Sequence, residues 1–334
     1  MSKVRIGING FGRIGRNAFK IAATHADLCE IVGINDLTDN KTLAHLLKHD
    51  TAYGAYQHDV QFDDNSITVD GRRINVYAEK DPAAIPWKDL GVDVVLECTG
   101  RFLDKATAGA HITAGARKVL ISAPSKGDDP APTYVLGVNP SDGSEPIINN
   151  ASCTTNCITP IMAVLEREFG IEMAMMSTVH SFTQDQMLQD GPHKDPRRAR
   201  AASQNIVPTS TGAALATTES IPGLKGKFDG TSFRVPTLVV SLSDITAVLK
   251  REVSVEDLNG AFTRASEGDL KGIMAVTNEE LVSSDFKGDP HSCIIDLPQT
   301  MVVAGRMVKV VAWYDNEWGY SNRLVEQAIR HGQN

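Results

Sequence analysis

The stretch Val4–Gly15, VRIGINGFGRIG, decides the fold. Val4 to Asn9 is a short β-rich run that leads directly into Gly10-Phe11-Gly12-Arg13-Ile14-Gly15, a G-x-G-x-x-G. Ile14, Ala18, Ile21 and Ala22 then fall at i, i+4, i+7 and i+8, one face of a helix that packs on a sheet. In that setting Gly10 permits a tight turn, Gly12 lets a pyrophosphate approach the backbone, and Gly15 allows close helix-strand packing. The helix N-terminal amides face the phosphates. A glycine-rich turn alone can serve packing only, so the next strand carries the decision. Glu30 to Asn35 is a second apolar run, and it leads to Asp36, 21 positions past Gly15, where a carboxylate accepts from the adenosine ribose hydroxyls. The two features together point to dinucleotide binding.

Working outward, Val92 to Cys98, Lys118 to Ser122 and Tyr134 to Val138 also read as strands alternating with helical patterns. Such alternation argues an α/β fold with a doubly wound parallel sheet over residues 1–150. Beyond it, Arg234 to Leu249 and Met307 to Tyr314 are long β-branched runs without that rhythm, which predicts a second, α+β domain with a mixed or antiparallel sheet over 151–315. Ser181 to Pro208 is polar, basic and without period, and loops of that length tend to be functional. Leu324, Val325, Ala328 and Ile329 predict a helix over Trp318 to His331, within a C-terminal segment, 316–334, that packs back on the first domain.

Composition narrows the function classes. With 334 residues and 42% hydrophobic content, a large core can form without staples. Lys and Arg number 33 against 41 Asp and Glu, a net charge of -8, which argues against nucleic acid as the main partner. The longest uncharged stretch, Pro146 to Leu165, is too polar to cross a bilayer. The N-terminus lacks the apolar segment of a secretory signal, so a cytoplasmic protein is expected. Five scattered cysteines suit free thiols in a reducing compartment.

Ser152-Cys153-Thr154-Thr155-Asn156-Cys157 starts a second helical pattern, with Ile158, Ile161, Met162 and Leu165 on its apolar face. Cys153 would sit at the N-terminus, where unpaired amides and the helix dipole favour a thiolate. The alternative is a buried structural cysteine, against which the Ser and Thr neighbours argue. Cys157 lies one turn further on; no Cys or His cluster completes a zinc site and an intrahelical disulfide has awkward geometry, so it is assigned to packing and no metal is expected. A cysteine nucleophile needs a base. His180 follows the strand-like run Met173 to Val179 where it opens into a loop. A dinucleotide site together with an activated cysteine and a histidine suggests aldehyde oxidation through a thioester. Arg234, Arg198, Thr183 and Thr211-Gly212 add donors suited to phosphate oxygens.

At this point the chain closely resembles the phosphorylating glyceraldehyde-3-phosphate dehydrogenases, nearly end to end, through GINGFGRIGR, ASCTTNC, TVHSFT, PTSTGAA, RVPT and WYDNEWGYSNR. The resemblance implies a Rossmann NAD domain and a catalytic domain, with Cys153 as the catalytic cysteine and His180 as its activating histidine. It places Arg13, Ile14, Asp36, Lys80, Ser122 and Asn316 on cofactor positions, with Lys80 where Arg is common. Ser152, Thr154, Thr183, Arg198, Thr211, Gly212 and Arg234 fall on positions that bind substrate phosphate and inorganic phosphate. The implied reaction converts glyceraldehyde 3-phosphate to 1,3-bisphosphoglycerate in glycolysis or gluconeogenesis, in a homotetramer. Three rival readings are disfavoured. An erythrose-4-phosphate dehydrogenase is disfavoured by the run Pro208 to Gly212. A Cys-His hydrolase or acyltransferase has no use for the glycine turn and Asp36. A nucleic-acid binder using the basic loop Lys194 to Arg200 conflicts with the net charge.

Overall fold

The computed structural model describes residues 2–333. Met1 of the first expected domain and Asn334 of the expected C-terminal segment lie outside the described residues. The chain divides into two compact units, one made of the residues up to Tyr134, Pro140–Ala151 and those from Ser321 onward, the other of Val135–Asn139 and Ser152–Tyr320.

In the first unit an eight-stranded sheet runs in the order Ile147–Asn149, Lys118–Ile121, Val94–Glu97, Val4–Asn9, Cys29–Asn35, Arg72–Tyr77, Ser66–Val69, Val60–Asp63. Pairing is parallel from Ile147–Asn149 across to Arg72–Tyr77 and antiparallel in the last two pairs. The central strands are apolar on both faces, with Ile6, Ile8, Ile34, Val94, Val95 and Leu96 fully buried, as a sheet covered on both sides requires. Helix Arg13–Thr24 buries Ala18, Ile21 and Ala22 and half-buries Ile14, the face read from the sequence. Helix Trp318–Gln333 buries Leu324, Val325 and Ala328, and a Cβ on its Gly332 would stand 2.4 Å from the Val4 side chain.

One expected strand is absent. Tyr134 to Val138 ends in a turn: the Val138 and Asn139 amides both donate to Val135 O at 3.1 Å, and Gly137 has φ +84°. The sheet closes instead on Ile147–Asn149, a run too short to show alternation.

The second unit holds a mixed sheet in the order Val207–Thr209, Phe228–Val235, Ile171–Ser181, Ser241–Leu249, Met307–Tyr314, Cys293–Asp296, Met274–Thr277. Ile171–Ser181 pairs in parallel with Phe228–Val235 and antiparallel with Ser241–Leu249. The single run expected from Arg234 to Leu249 is therefore two strands. Pro236 has no amide to give a ladder, Thr237 N–H turns back on Val235 O at 2.8 Å, and Val240 has φ +73°. One face of this sheet packs on helices Cys153–Phe169 and Val255–Glu267, where Ile158, Ile161, Met162 and Leu165 are fully buried. Residues 182–206 form neither helix nor strand.

Candidate active site

The three glycines of the first turn differ in what surrounds them. Gly10 has φ +92°, and a Cβ there would lie 2.8 Å from the backbone of Cys98 and Thr99. A Cβ on Gly15 would lie 2.2 Å from Gly10 O, which is the close packing of helix on strand. Gly12 caps the helix without a side-chain hydrogen bond, and a Cβ on it would meet nothing within 4 Å. A turn closed on two sides and open on the third, at a helix N-terminus, suits an approaching pyrophosphate. Asp36 is half-buried; its Oδ2 accepts from Phe11 N–H at 2.7 Å and its Oδ1 from Thr38 N–H at 2.9 Å. The carboxylate thus braces the glycine turn and stands at the strand end where a ribose is expected. The Arg13 guanidinium is engaged elsewhere, 2.8 Å from Asp50 and over the Tyr53 ring. Lys80 is exposed, and Ser122, just past Lys118–Ile121, donates its amide to Glu97 O at 3.0 Å.

A buried polar network joins three strand ends of this unit. Asn35 Nδ2 donates to Asn9 Oδ1 at 2.8 Å, Asn9 Nδ2 donates to Glu97 Oε2 at 2.6 Å, and His111 Nε2 lies 3.1 Å from the same oxygen. Trp87 Nε1 donates to His111 Nδ1 at 3.0 Å, so the ring proton sits on Nε2 and points at Glu97. Sequence pattern offered no reason to single out His111, because its partners come from distant segments.

In the second unit Ser152 caps helix Cys153–Phe169, its Oγ accepting from Thr155 N–H at 3.0 Å. Cys153 is the first helical residue and is half-buried. The parallel register places His180 beside Arg234, and His180 Nε2 lies 3.3 Å from Cys153 Sγ. His180 Nδ1 is 2.7 Å from Ser181 O, a contact that needs a proton on Nδ1 and leaves Nε2 as the acceptor facing the thiol. Arg234 Nη1 approaches Nδ1 at 3.2 Å, but it donates better to Thr183 Oγ1 at 2.9 Å.

Burial, and second the Arg234 cation, lower the His180 pKa to about 3, so the ring is neutral at pH 7. Burial pushes the Cys153 thiol up from its ordinary value, against the pull of Arg234 and hydrogen bonds from Thr154. Desolvation thus opposes the thiolate that helix position favours, and Arg234 and the Thr154 hydrogen bonds work for it.

The remaining expected donors have partners of their own. Thr183 and Arg198 both bond Asp185, and Arg198 Nε also lies 3.5 Å from Asp195. Thr211 Oγ1 accepts from Ala213 N–H at 3.2 Å, and Gly212 caps helix Ala213–Ser220 with open space where a Cβ would stand. Asn316 is buried, its Oδ1 accepting from Ser181 Oγ at 2.8 Å and Ser241 Oγ at 3.0 Å. Tyr314 escaped the sequence reading. Its hydroxyl lies 2.9 Å from Thr154 Oγ1 and 2.9 Å from Thr178 Oγ1, tying the cysteine helix to the histidine strand. A signal existed: Tyr314 shares the inward parity of Val308, Val310 and Ala312. Among the described residues no group of three or more His, Cys, Asp or Glu is placed to hold a metal, and no helix is long and apolar enough to cross a membrane.

Two family descriptions match the chain: Glyceraldehyde 3-phosphate dehydrogenase, NAD binding domain, over residues 4–105, and Glyceraldehyde 3-phosphate dehydrogenase, C-terminal domain, over 152–316. A glyceraldehyde-3-phosphate dehydrogenase of Streptomyces coelicolor is 53% identical, covering 98% of each chain. Those of Geobacillus stearothermophilus and Mycobacterium avium are 52% and 54% identical, each over 97% of both chains.

Proposed function

The chain belongs to the glyceraldehyde-3-phosphate dehydrogenase family, and from that premise we propose which of its residues carry the NAD-dependent oxidation of glyceraldehyde 3-phosphate. The observation that carries the assignment is the 3.3 Å approach of His180 Nε2 to Cys153 Sγ, with Nδ1 held by Ser181 O. A neutral imidazole with that tautomer is a base aimed at the thiol. Cys153 Sγ attacks the aldehyde carbon while its proton passes through His180 Nε2 to the carbonyl oxygen, giving a thiohemiacetal on Cys153. His180 then removes the hydroxyl proton as the carbon gives up its hydride, leaving a thioester. NAD, when bound, supplies the hydride acceptor. An oxygen of inorganic phosphate attacks the thioester carbonyl, 1,3-bisphosphoglycerate leaves, and Cys153 recovers a proton from His180.

Gly10, Gly12, Arg13, Ile14, Gly15, Asp36, Lys80, Ser122 and Asn316 hold the cofactor; the open face of Gly12 and the carboxylate of Asp36 support this. Ser152, Thr154, Thr183, Arg198, Thr211, Gly212 and Arg234 hold the substrate phosphate and inorganic phosphate. Iodoacetamide near neutral pH, followed by peptide mapping, tests the nucleophile: Cys153 is expected to label first, with activity lost in step. His180→Asn is expected to lower turnover by roughly 10² to 10⁴, the range of general acid-base catalysis. Faster labelling of Cys157 or Cys293 with activity tracking it, or a His180→Asn variant within twofold of wild type, rejects these roles.

The protein works as a homotetramer in the cytoplasm. Its five cysteines are all free, which suits a reducing compartment. Register aligns Met173, Val248, Met307 and Val303 in one row on the sheet face turned away from the two helices. Met173, Met307 and Val303 are each about half exposed or more, and Met175 beside them is 73% exposed, an apolar face that a second copy of the chain covers.

A further inference from the structure

The hydroxyls of Ser181 and Ser241 have no role in the assignments so far, yet both residues are buried in the second unit. Each donates its hydroxyl proton to the same atom, Asn316 Oδ1, at 2.8 and 3.0 Å. The carbonyl oxygen is an acceptor only, so both hydroxyls must act as donors, and the amide rotation is set by them. Ser241 Oγ in turn accepts from the Ser181 N–H at 3.1 Å, which orients its proton away from Ser181 and toward Asn316. Among the described residues nothing accepts from Asn316 Nδ2, and it is not among the sealed, unpaired polar atoms. The amide therefore presents two N–H donors outward on a side chain whose other end is clamped.

The backbone is bent to reach this arrangement. Val240, directly before Ser241, has φ +73°, a region that β-branched residues avoid, and it is buried. Strain of that kind persists where neighbouring structure holds it, and it collects at functional positions. Ser181 serves a second group as well: its carbonyl is the partner of His180 Nδ1. One residue thus orients the base through its backbone and the amide through its side chain.

We propose that the Ser181–Ser241 hydroxyl pair is a positioning device that locks the Asn316 amide with its N–H groups outward, so that it reads the carboxamide oxygen of the nicotinamide and sets the ring for hydride transfer. The inference rests on the reading of Asn316 as a cofactor contact. With the amide turned over, its oxygen would face the carboxamide oxygen, two acceptors in opposition, and the nicotinamide half of the cofactor would lose its anchor while the adenosine half kept its own.

Calorimetric titration of the full-length protein with NAD and with ADP-ribose, which lacks the nicotinamide, separates the two halves. Ser181→Ala/Ser241→Ala is expected to weaken NAD about tenfold, the scale of one to two hydrogen bonds, and to leave ADP-ribose within twofold. If the double variant does not fold, each single Ser→Ala variant decides the matter at about threefold. Unchanged NAD affinity, or equal loss of both ligands, overturns the inference. Asn316→Ala distinguishes the premise: if it leaves the NAD to ADP-ribose ratio at the wild-type value, the reading of Asn316 falls. If Asn316→Ala lowers that ratio and the serine variants do not, only the role of the serines falls.

Discussion

Replacing Gly12 and Gly15 with alanine, one at a time, separates cofactor binding from folding within a single turn. At Gly12 the backbone is extended, with φ -73° and ψ -156°, and the new methyl meets nothing within 4 Å. The entropy removed from the unfolded chain contributes about 0.4–1 kcal/mol, and the poorer capping of alanine costs about as much, so the two offset. The thermal midpoint is expected to move by no more than about 3 °C. The same methyl occupies the space through which a pyrophosphate approaches the helix amides, so NAD affinity is expected to fall about tenfold or more. At Gly15 the Cβ stands 2.2 Å from Gly10 O, a backbone atom, so relief needs a shift of the turn itself. That overlap costs on the order of 3 kcal/mol, or roughly 6–12 °C of midpoint. Scanning calorimetry and NAD titration on both variants give the answer. A Gly12→Ala protein that binds NAD as the wild type does, or one destabilised as much as Gly15→Ala, refutes the assignment of that open face to the pyrophosphate.

Other expectations follow from the same geometry. Arg234→Leu should lower kcat/KM for glyceraldehyde 3-phosphate at least tenfold more than for unphosphorylated glyceraldehyde, with some loss on both because Arg234 also touches Thr183 and His180; equal losses would make it purely structural. Asp36→Asn keeps an acceptor for the Phe11 amide while removing the charge that opposes a 2′-phosphate about 4 Å away, so the preference for NAD over NADP should shrink more than tenfold. A preference untouched by that change would remove Asp36 from cofactor choice. His331 is buried, and burial, with Lys118 nearby, lowers its pKa from 6.5 to about 4. The unfolded chain therefore binds the proton first, and this residue's contribution to stability, complete above pH 6.5, is lost as pH falls toward 4, by up to about 3 kcal/mol. His331→Leu should flatten denaturant midpoints over that window, leaving the slope due to His180, and an unchanged profile would contradict the burial argument.

What the chain encodes locally could be read locally. The run Val4–Asn9, the glycine turn, the apolar face of Arg13–Thr24 and the start of helix Cys153–Phe169 at Cys153 all rest on periods of a few residues and on capping chemistry, and the structure follows them. The strand expected over Tyr134 to Val138 and the unbroken run over Arg234 to Leu249 failed for a related reason: β-branched composition says that a segment favours extension, while turn hydrogen bonds and a strained Val240 depend on what lies opposite. Tertiary structure alone decided the partnerships. Cys153 and His180 are 27 residues apart and meet because a helix end and a strand end converge, and Tyr314 reaches Thr154 across 160 positions. It also set the environment of the thiol. A helix N-terminus favours a thiolate by a local dipole, but the cost of desolvating Cys153 comes from every atom packed around it, and that sum is a property of the folded chain rather than of any stretch of sequence.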